Sequence, residues 1–380
     1  MIMAGSRDEP YLLTPGPLTT SPQTKHAMLR DWGSRDTAFI DLTRRVRNRL
    51  VALVHGGGIL TCVPIQGSGT FAVEAMLGTF VPRGGHVLVL INGAYGQRMR
   101  QICQTMGRTV SVLEAAEDVP ADPDAVAARL AGDDSISHVA VVHCETTTGI
   151  LNPIEEIARV VADAGRRLLI DAMSSFGALA IDARSLMFDA LAASANKCLE
   201  GVPGVGFVLA RQDVLAATKA QAHSVALDLY AQWRGFEGNG QWRFTPPTHV
   251  MAALDAALDQ LDVEGGVAAR FERYRQNCAI LIDGMRELGF ESLLPDALQA
   301  PIIVTFPIPP DAGFEFEIFH DKVRERGYAL YPGKLTVAPS FRIGCIGQLG
   351  AADMRGALDA IAQALADMKI VLPSISSTRT

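Results

Sequence analysis

Three apolar runs constrain this chain more than any other feature. HVLVL (86–90), HVAVVH (138–143) and RLLID (167–171) are continuous rather than alternating. A strand with one wet face alternates apolar and polar residues. A strand covered on both faces reads apolar throughout, as in a parallel sheet with helices on each side. The pattern predicts strands at 85–91, 109–113, 138–143, 167–172, 190–194 and 204–210. Helical periodicity predicts helices between or after them at 70–80, 95–106, 124–131, 155–164 and 211–219. Such alternation gives an α/β fold, a large doubly wound and mostly parallel sheet domain.

After about residue 248 the pattern changes. Two long helices (251–263, 266–288) lead to a strand (302–306), a helix (314–326), two short strands and a last helix (351–368). This reads as a smaller C-terminal α+β domain. The expected division is 20–260 for the large domain and 261–380, with the N-terminal segment 1–19, for the small one. The Ser/Thr-rich tail, 373–380, is expected to fray.

Composition narrows the partners. Net charge is −7 and aromatics are 6 %, so nucleic acid and anionic membranes are not expected partners. Any anion must be caught by a local site. None of the six cysteines forms a CxxC pair, so no metal site is expected. The first ten residues lack the pattern of a secretory signal, and no run of 18 apolar residues exists. The expected compartment is the cytoplasm.

Three short stretches carry chemistry. Gln66-Gly67-Ser68-Gly69-Thr70 is a small, Gly-rich turn that opens a helix. Helix N-termini present unpaired N–H groups and a positive dipole end, which suit a phosphate; an ordinary N-cap reads the same way. Asp171 ends a predicted strand at the ligand-binding edge of such sheets, although a lone Asp is also a common helix cap. Lys197 follows an apolar strand and precedes a Gly/Pro turn, where desolvation would free its amine as a nucleophile; a lysine snorkelling outward reads the same way. Taken together and in order, the three meet the needs of pyridoxal 5'-phosphate: a phosphate anchor, an acid for the ring nitrogen and a Schiff-base amine. His143, His249 and Cys198 read as satisfied polar or apolar neighbours rather than catalysts, and Arg35 as a solvent-facing cation.

Beyond these, LLTPGPLTT (12–20), QGSGTFAVEA (66–75), NGAYGQR (92–98), HCETTTGILNPI (143–154), DAMSSFGALAID (171–182), SANKCLEGVPGVGFVLAR (194–211), WRFTPPTH (242–249) and APSFRIGCIG (338–347) span the chain. The set resembles the class V aminotransferases of fold type I. CETTTGILNP and ANKCLEGVPG are similar to the branch of that family that moves the amino group of 2-aminoethylphosphonate to pyruvate by a ping-pong mechanism.

The resemblance implies roles. Lys197 would carry the cofactor and shuttle protons, and Asp171 would pair with the ring nitrogen. Ser68, Gly69, Thr70 and Asn196 would hold the phosphate. Tyr95 would stack on the ring and Met173 would press its other face. Thr146 would lie near the ring oxygen, with Thr147 and Thr148 as alternatives. Trp242 and Thr245 would reach across a homodimer interface to a partner's phosphate. Gly16, in the TPGP turn, would let backbone approach the substrate, and Arg342 would fork onto its carboxylate or phosphonate. The nearest rival is an alanine or serine aminotransferase of the same class. A class V lyase or desulfurase would need a loop cysteine that the sequence does not offer. A non-catalytic binding protein would have no use for Lys197 and Asp171.

Overall fold

The computed structural model describes residues 9–311, 313–335 and 338–373. The opening segment 1–8 and the tail from 374 onward, both read above, lie outside the described residues. The chain falls into two compact units. The larger comprises Thr20–Glu145 and Ile150–Arg270; the smaller gathers the segment ending at Thr19, the loop Thr146–Gly149 and the chain from Phe271 onward.

The larger unit is built on a seven-stranded sheet: β1 (Leu60–Gly67), β2 (His86–Ile91), β3 (Thr109–Glu114), β4 (Ile136–Val142), β5 (Arg167–Asp171), β6 (Ala190–Ser194) and β7 (Gly204–Arg211). The spatial order is β1-β7-β6-β5-β4-β2-β3. β7 runs antiparallel to both its neighbours and every other pairing is parallel. Successive residues explain the continuous runs. Leu88, Leu90, Val139, Val141, Leu168 and Ile170 join one core, while Val87, Val89, Ile91, Ala140, Val142 and Leu169 join another. Each strand thus feeds apolar side chains to both faces of the sheet.

Several elements were not expected, the helix Leu229–Asn239 among them, and two have a clear physical reason. β1 was not foreseen as a strand, and Pro64 at its centre explains why. Proline cannot donate to a ladder and is confined to edge strands or bulges, and β1 is the sheet's edge, with Pro64 opposite Phe207. Helix α1 (Thr37–Ala52) was also missed. Its buried stripe, Phe39, Leu42, Val46 and Leu50, is narrow and flanked by arginines. Two of these, Arg45 and Arg49, pair with Asp255, Asp259 and Asp262 on α4 (Thr248–Glu264). Between them lie α2 (Gly69–Phe80), directly after β1, and α3 (Ala94–Thr105), directly after β2.

The boundary between units falls between Arg270 and Phe271 rather than at 260/261. Residue 260 lies inside the unbroken α4. The next helix, α5 (Gly266–Glu287), begins in the larger unit because Arg270 is fastened there, to Glu264 and to the Cys198 carbonyl.

The smaller unit carries an antiparallel sheet of β8 (Ile303–Pro307), β9 (Tyr331–Pro332) and β10 (Ser340–Gly344), in the order β8-β10-β9. Its core gathers Phe290, Phe306, Phe319 and Phe341 with Leu281 and Met285 of α5 and Met354 and Ile361 of the last helix, Ala351–Met368. Among the described residues no helix is long and apolar enough to cross a membrane.

Candidate active site

In the larger unit the chemistry-bearing residues gather at the carboxyl ends of adjacent parallel strands, the edge where open α/β sheets bind ligands. β5 delivers Asp171. β6, its parallel neighbour with Ala192 opposite Asp171, leads into the turn that carries Lys197. Beyond β4 lies Glu145, beyond β2 the Asn92–Gly93 turn into α3, and beyond β1 the start of α2.

Asp171 is buried, and one of its oxygens, Oδ1, accepts the Met173 N–H at 2.9 Å. Burial pushes its carboxyl up to about 6, against the pull of that N–H and of the Lys197 and Arg98 charges. Lys197 and Asp171 are therefore electrostatic neighbours. The Lys197 turn is tightly braced. Glu200, held at φ +59°, donates its N–H to the Lys197 carbonyl at 2.8 Å, and Gly201 donates to the Ala195 carbonyl at 2.8 Å.

Arg270 completes the brace. Its buried guanidinium donates to the Cys198 carbonyl and to Glu264, both at 2.6 Å, and lies 3.6 Å from the buried Glu200. Removing one member of a buried ion pair strands the other charge. Arg270→Ala is expected to cost about 3–5 kcal/mol of stability, read from the urea midpoint of the cofactor-free protein. A loss within about 0.5 kcal/mol, the range of an ordinary surface change, would remove Arg270 from this role.

Ser68 precedes α2 in extended conformation and its side chain makes no capping bond to the helix. Thr70 accepts a hydrogen bond from Arg98 Nη1 at 3.2 Å. A Cβ on Gly69 would stand 2.4 Å from the Met173 sulfur, so Met173 occupies the space a side chain would take. Gly93 makes similar room for the buried Glu145, whose carboxylate accepts the Tyr95 N–H at 3.1 Å. The Tyr95 ring lies under the Arg98 guanidinium, 5.0 Å from ring centroid to the guanidinium carbon. Asn196 is half-buried beside Lys197.

Two buried atoms at this edge, His143 Nδ1 and Ser194 Oγ, have no hydrogen-bond partner among the described residues. Buried polar atoms are normally satisfied, and an orphaned one calls for an explanation, a water or a ligand among them. His143 thus departs from the expected satisfied residue; burial lowers it to about 4, so it is neutral at pH 7. Cys198 matches the duller expectation: it is buried, donates to the Ser174 carbonyl, and burial pushes its thiol up to about 12.

Trp242 is engaged within its own chain, with its indole N–H on Thr43 Oγ1 at 3.2 Å and its ring edge-on to Phe236. Thr245 and Arg35 are exposed and line one open cleft with Trp242 and Arg243. His249 is exposed, 3.2 Å from Asp31.

In the smaller unit Arg342 is buried on β10, donating Nε to the Pro332 carbonyl and Nη1 to the Thr146 carbonyl at 2.8 Å. Thr146, Thr147 and Thr148 are buried. The Thr305 hydroxyl donates to the Thr147 carbonyl, and Thr146 Oγ1 has no partner among the described residues. Gly16 adopts φ +114°, open to glycine and strained for other residues. Its turn packs on β10: Gly344 donates to the Leu13 carbonyl, and a Cβ on Gly344 would stand 2.5 Å from the Thr14 oxygen. The turn and Arg342 therefore share one neighbourhood. Sequence reasoning missed Glu145, Arg98 and Arg270. Arg98 stands one helical turn after Tyr95 in the NGAYGQR stretch, which was the available signal.

The family model for class V aminotransferases matches residues 24–347. The chain belongs to the class V aminotransferases. It is 56 % identical over 362 residues to the 2-aminoethylphosphonate–pyruvate transaminase of Pseudomonas entomophila strain L48, covering 95 % of this chain and 98 % of the relative. The 2-aminoethylphosphonate–pyruvate transaminase 1 of Polaromonas sp. strain JS666 is 57 % identical over 364 residues, covering 95 % and 97 %. Among solved structures, pyridoxamine–pyruvate aminotransferase from Mesorhizobium loti superposes with a TM-score of 0.88 at 24 % identity, covering 97 % of this chain and 95 % of that one. That likeness speaks for the fold: the large sheet and smaller α+β unit are those of fold type I. The chain is an aminotransferase, as the sequence reading expected.

Proposed function

We propose that this aminotransferase moves the amino group of 2-aminoethylphosphonate to pyruvate, giving phosphonoacetaldehyde and alanine, with pyridoxal 5'-phosphate as cofactor. The observation that carries the substrate assignment is identity above one half, end to end, with relatives bearing that name. The residues at the sheet edge fit the cofactor: an uncapped helix start for its phosphate, a buried acid for its ring, an amine beside that acid, and buried polar atoms left unsatisfied.

Bound pyridoxal phosphate supplies a reactive carbonyl carbon and an electron-poor ring. Ser68, Gly69, Thr70 and Asn196 would hold its phosphate, with the α2 dipole favouring the negative charge. Asp171 would hold the proton of the ring nitrogen; its burial strengthens that charge pair by excluding water. Tyr95 and Met173 would confine the ring, and Thr146 would meet its oxygen. Lys197 would take the proton from the substrate carbon bearing nitrogen and return it elsewhere, a base whose main chain is already fixed. Arg342, oriented by two carbonyls, would bind phosphonate in one half-reaction and carboxylate in the other. Trp242 and Thr245 are assigned to a homodimer interface, which the exposure of Thr245 supports.

The test is one half-reaction. The cofactor-loaded protein, mixed with 2-aminoethylphosphonate and no keto acid, is expected to lose its visible band and release phosphonoacetaldehyde, and pyruvate should restore the band. Bleaching with alanine or serine, but not with 2-aminoethylphosphonate, would move the donor to the sister activity and end this assignment.

A further inference from the structure

Arg98 joins three groups that the reaction needs. It lies on α3, one turn after Tyr95, and reaches across to α2. Its Nη1 donates to Thr70 Oγ1 at 3.2 Å, its guanidinium covers the Tyr95 ring, and its charge acts on Asp171. The Thr70 bond has a chemical consequence. A hydroxyl can accept and donate at once. With a lone pair committed to an arginine, which cannot accept a proton, Thr70 must spend its own proton elsewhere. The N-terminal end of α2, beside the uncapped Ser68, is where an anion would receive it. The same guanidinium also lies over the Tyr95 ring, so the cation contacts both ring and hydroxyl.

We propose that Arg98 is a positioning residue for a phosphate monoester dianion bound at the start of α2. It sets the Thr70 hydroxyl as a donor and adds a full positive charge to the helix dipole. This rests on the reading that places the cofactor at this edge. The donor's phosphonate is a dianion of the same chemistry, and the inference commits to the cofactor's phosphate.

The test uses the full-length chain freed of cofactor, as wild type, Arg98→Gln, Arg98→Lys, Thr70→Val and the Arg98→Gln/Thr70→Val double variant. Thermal unfolding first checks that each is folded. Binding of pyridoxal phosphate is then followed by its visible absorption, with pyridoxal, which lacks the phosphate, as the paired probe. Arg98→Gln is expected to weaken pyridoxal phosphate binding roughly ten- to a hundredfold, the range for a charge-assisted hydrogen bond. It should leave pyridoxal binding within about twofold, and Arg98→Lys should recover part of the loss. In the Thr70→Val background the same change should cost several-fold less, because contacting residues are not additive. Equal losses for both probes, or full additivity with Thr70→Val, would overturn the inference. So would unchanged cofactor affinity with a raised KM for 2-aminoethylphosphonate, which would hand Arg98 to the substrate. Wild type that fails to bind pyridoxal phosphate would sink the proposed function as well; a change confined to the variants bears on Arg98 alone.

Discussion

Lys197→Ala is expected to lower transamination by on the order of 10⁴-fold or more while leaving the protein folded. The two halves of that statement rest on different atoms. The turn is held through its backbone: the Lys197 carbonyl receives the Glu200 N–H, the Ala195 carbonyl the Gly201 N–H, and the Cys198 carbonyl the Arg270 guanidinium. None of these bonds uses the lysine amine. Truncation therefore removes the reacting group and leaves its mounting. Lys197→Arg separates chemistry from charge, because it keeps a cation beside Asp171 but is no nucleophile at neutral pH. It too should be inactive. Alanine formation from 2-aminoethylphosphonate and pyruvate, measured beside thermal unfolding, decides the matter. Turnover of the alanine variant within tenfold of wild type would take Lys197 out of the reaction.

What the sequence revealed follows from where each signal resides. The central strands were legible because burial on both faces leaves a local mark, three to five apolar residues in a row. β1 carried the opposite mark, a proline at its centre, and only its edge position makes that proline tolerable. α1 hid behind arginines whose partners lie some two hundred residues away, on α4. The same division runs through the site. Asp171, Lys197 and the Ser68–Thr70 turn were readable because chemistry-bearing residues stood directly at strand or helix ends. Glu145 is defined by a bond to Tyr95 across 50 residues, Arg98 by one to Thr70 across 28, and Arg270 by one to Cys198 across 72. No periodicity encodes such pairs, because they exist only once strands β1 to β6 have aligned.

Asp171→Asn is expected to stabilise the cofactor-free protein at pH 8 while lowering transamination about 10³- to 10⁴-fold. Asp171 titrates near 6 in the folded chain and near its ordinary value of 3.8 when unfolded, because burial penalises its charge. At pH values between these two the folded state holds the proton more tightly. The stability owed to this group is therefore complete below about pH 4 and is lost as pH rises through about 6. Above that, the buried carboxylate costs about 3 kcal/mol. An amide has no charge to desolvate, and its oxygen can still accept the Met173 N–H. The variant should therefore gain most of that energy at pH 8 and almost none at pH 4, as read from urea midpoints at the two values. The price is function, since a neutral amide cannot hold the ring proton that the reaction needs. A variant less stable than wild type at pH 8 would mean that the Lys197 and Arg98 charges already outweigh burial. Asp171 would then be a stabilising ion-pair partner rather than a strained acid kept for a ligand.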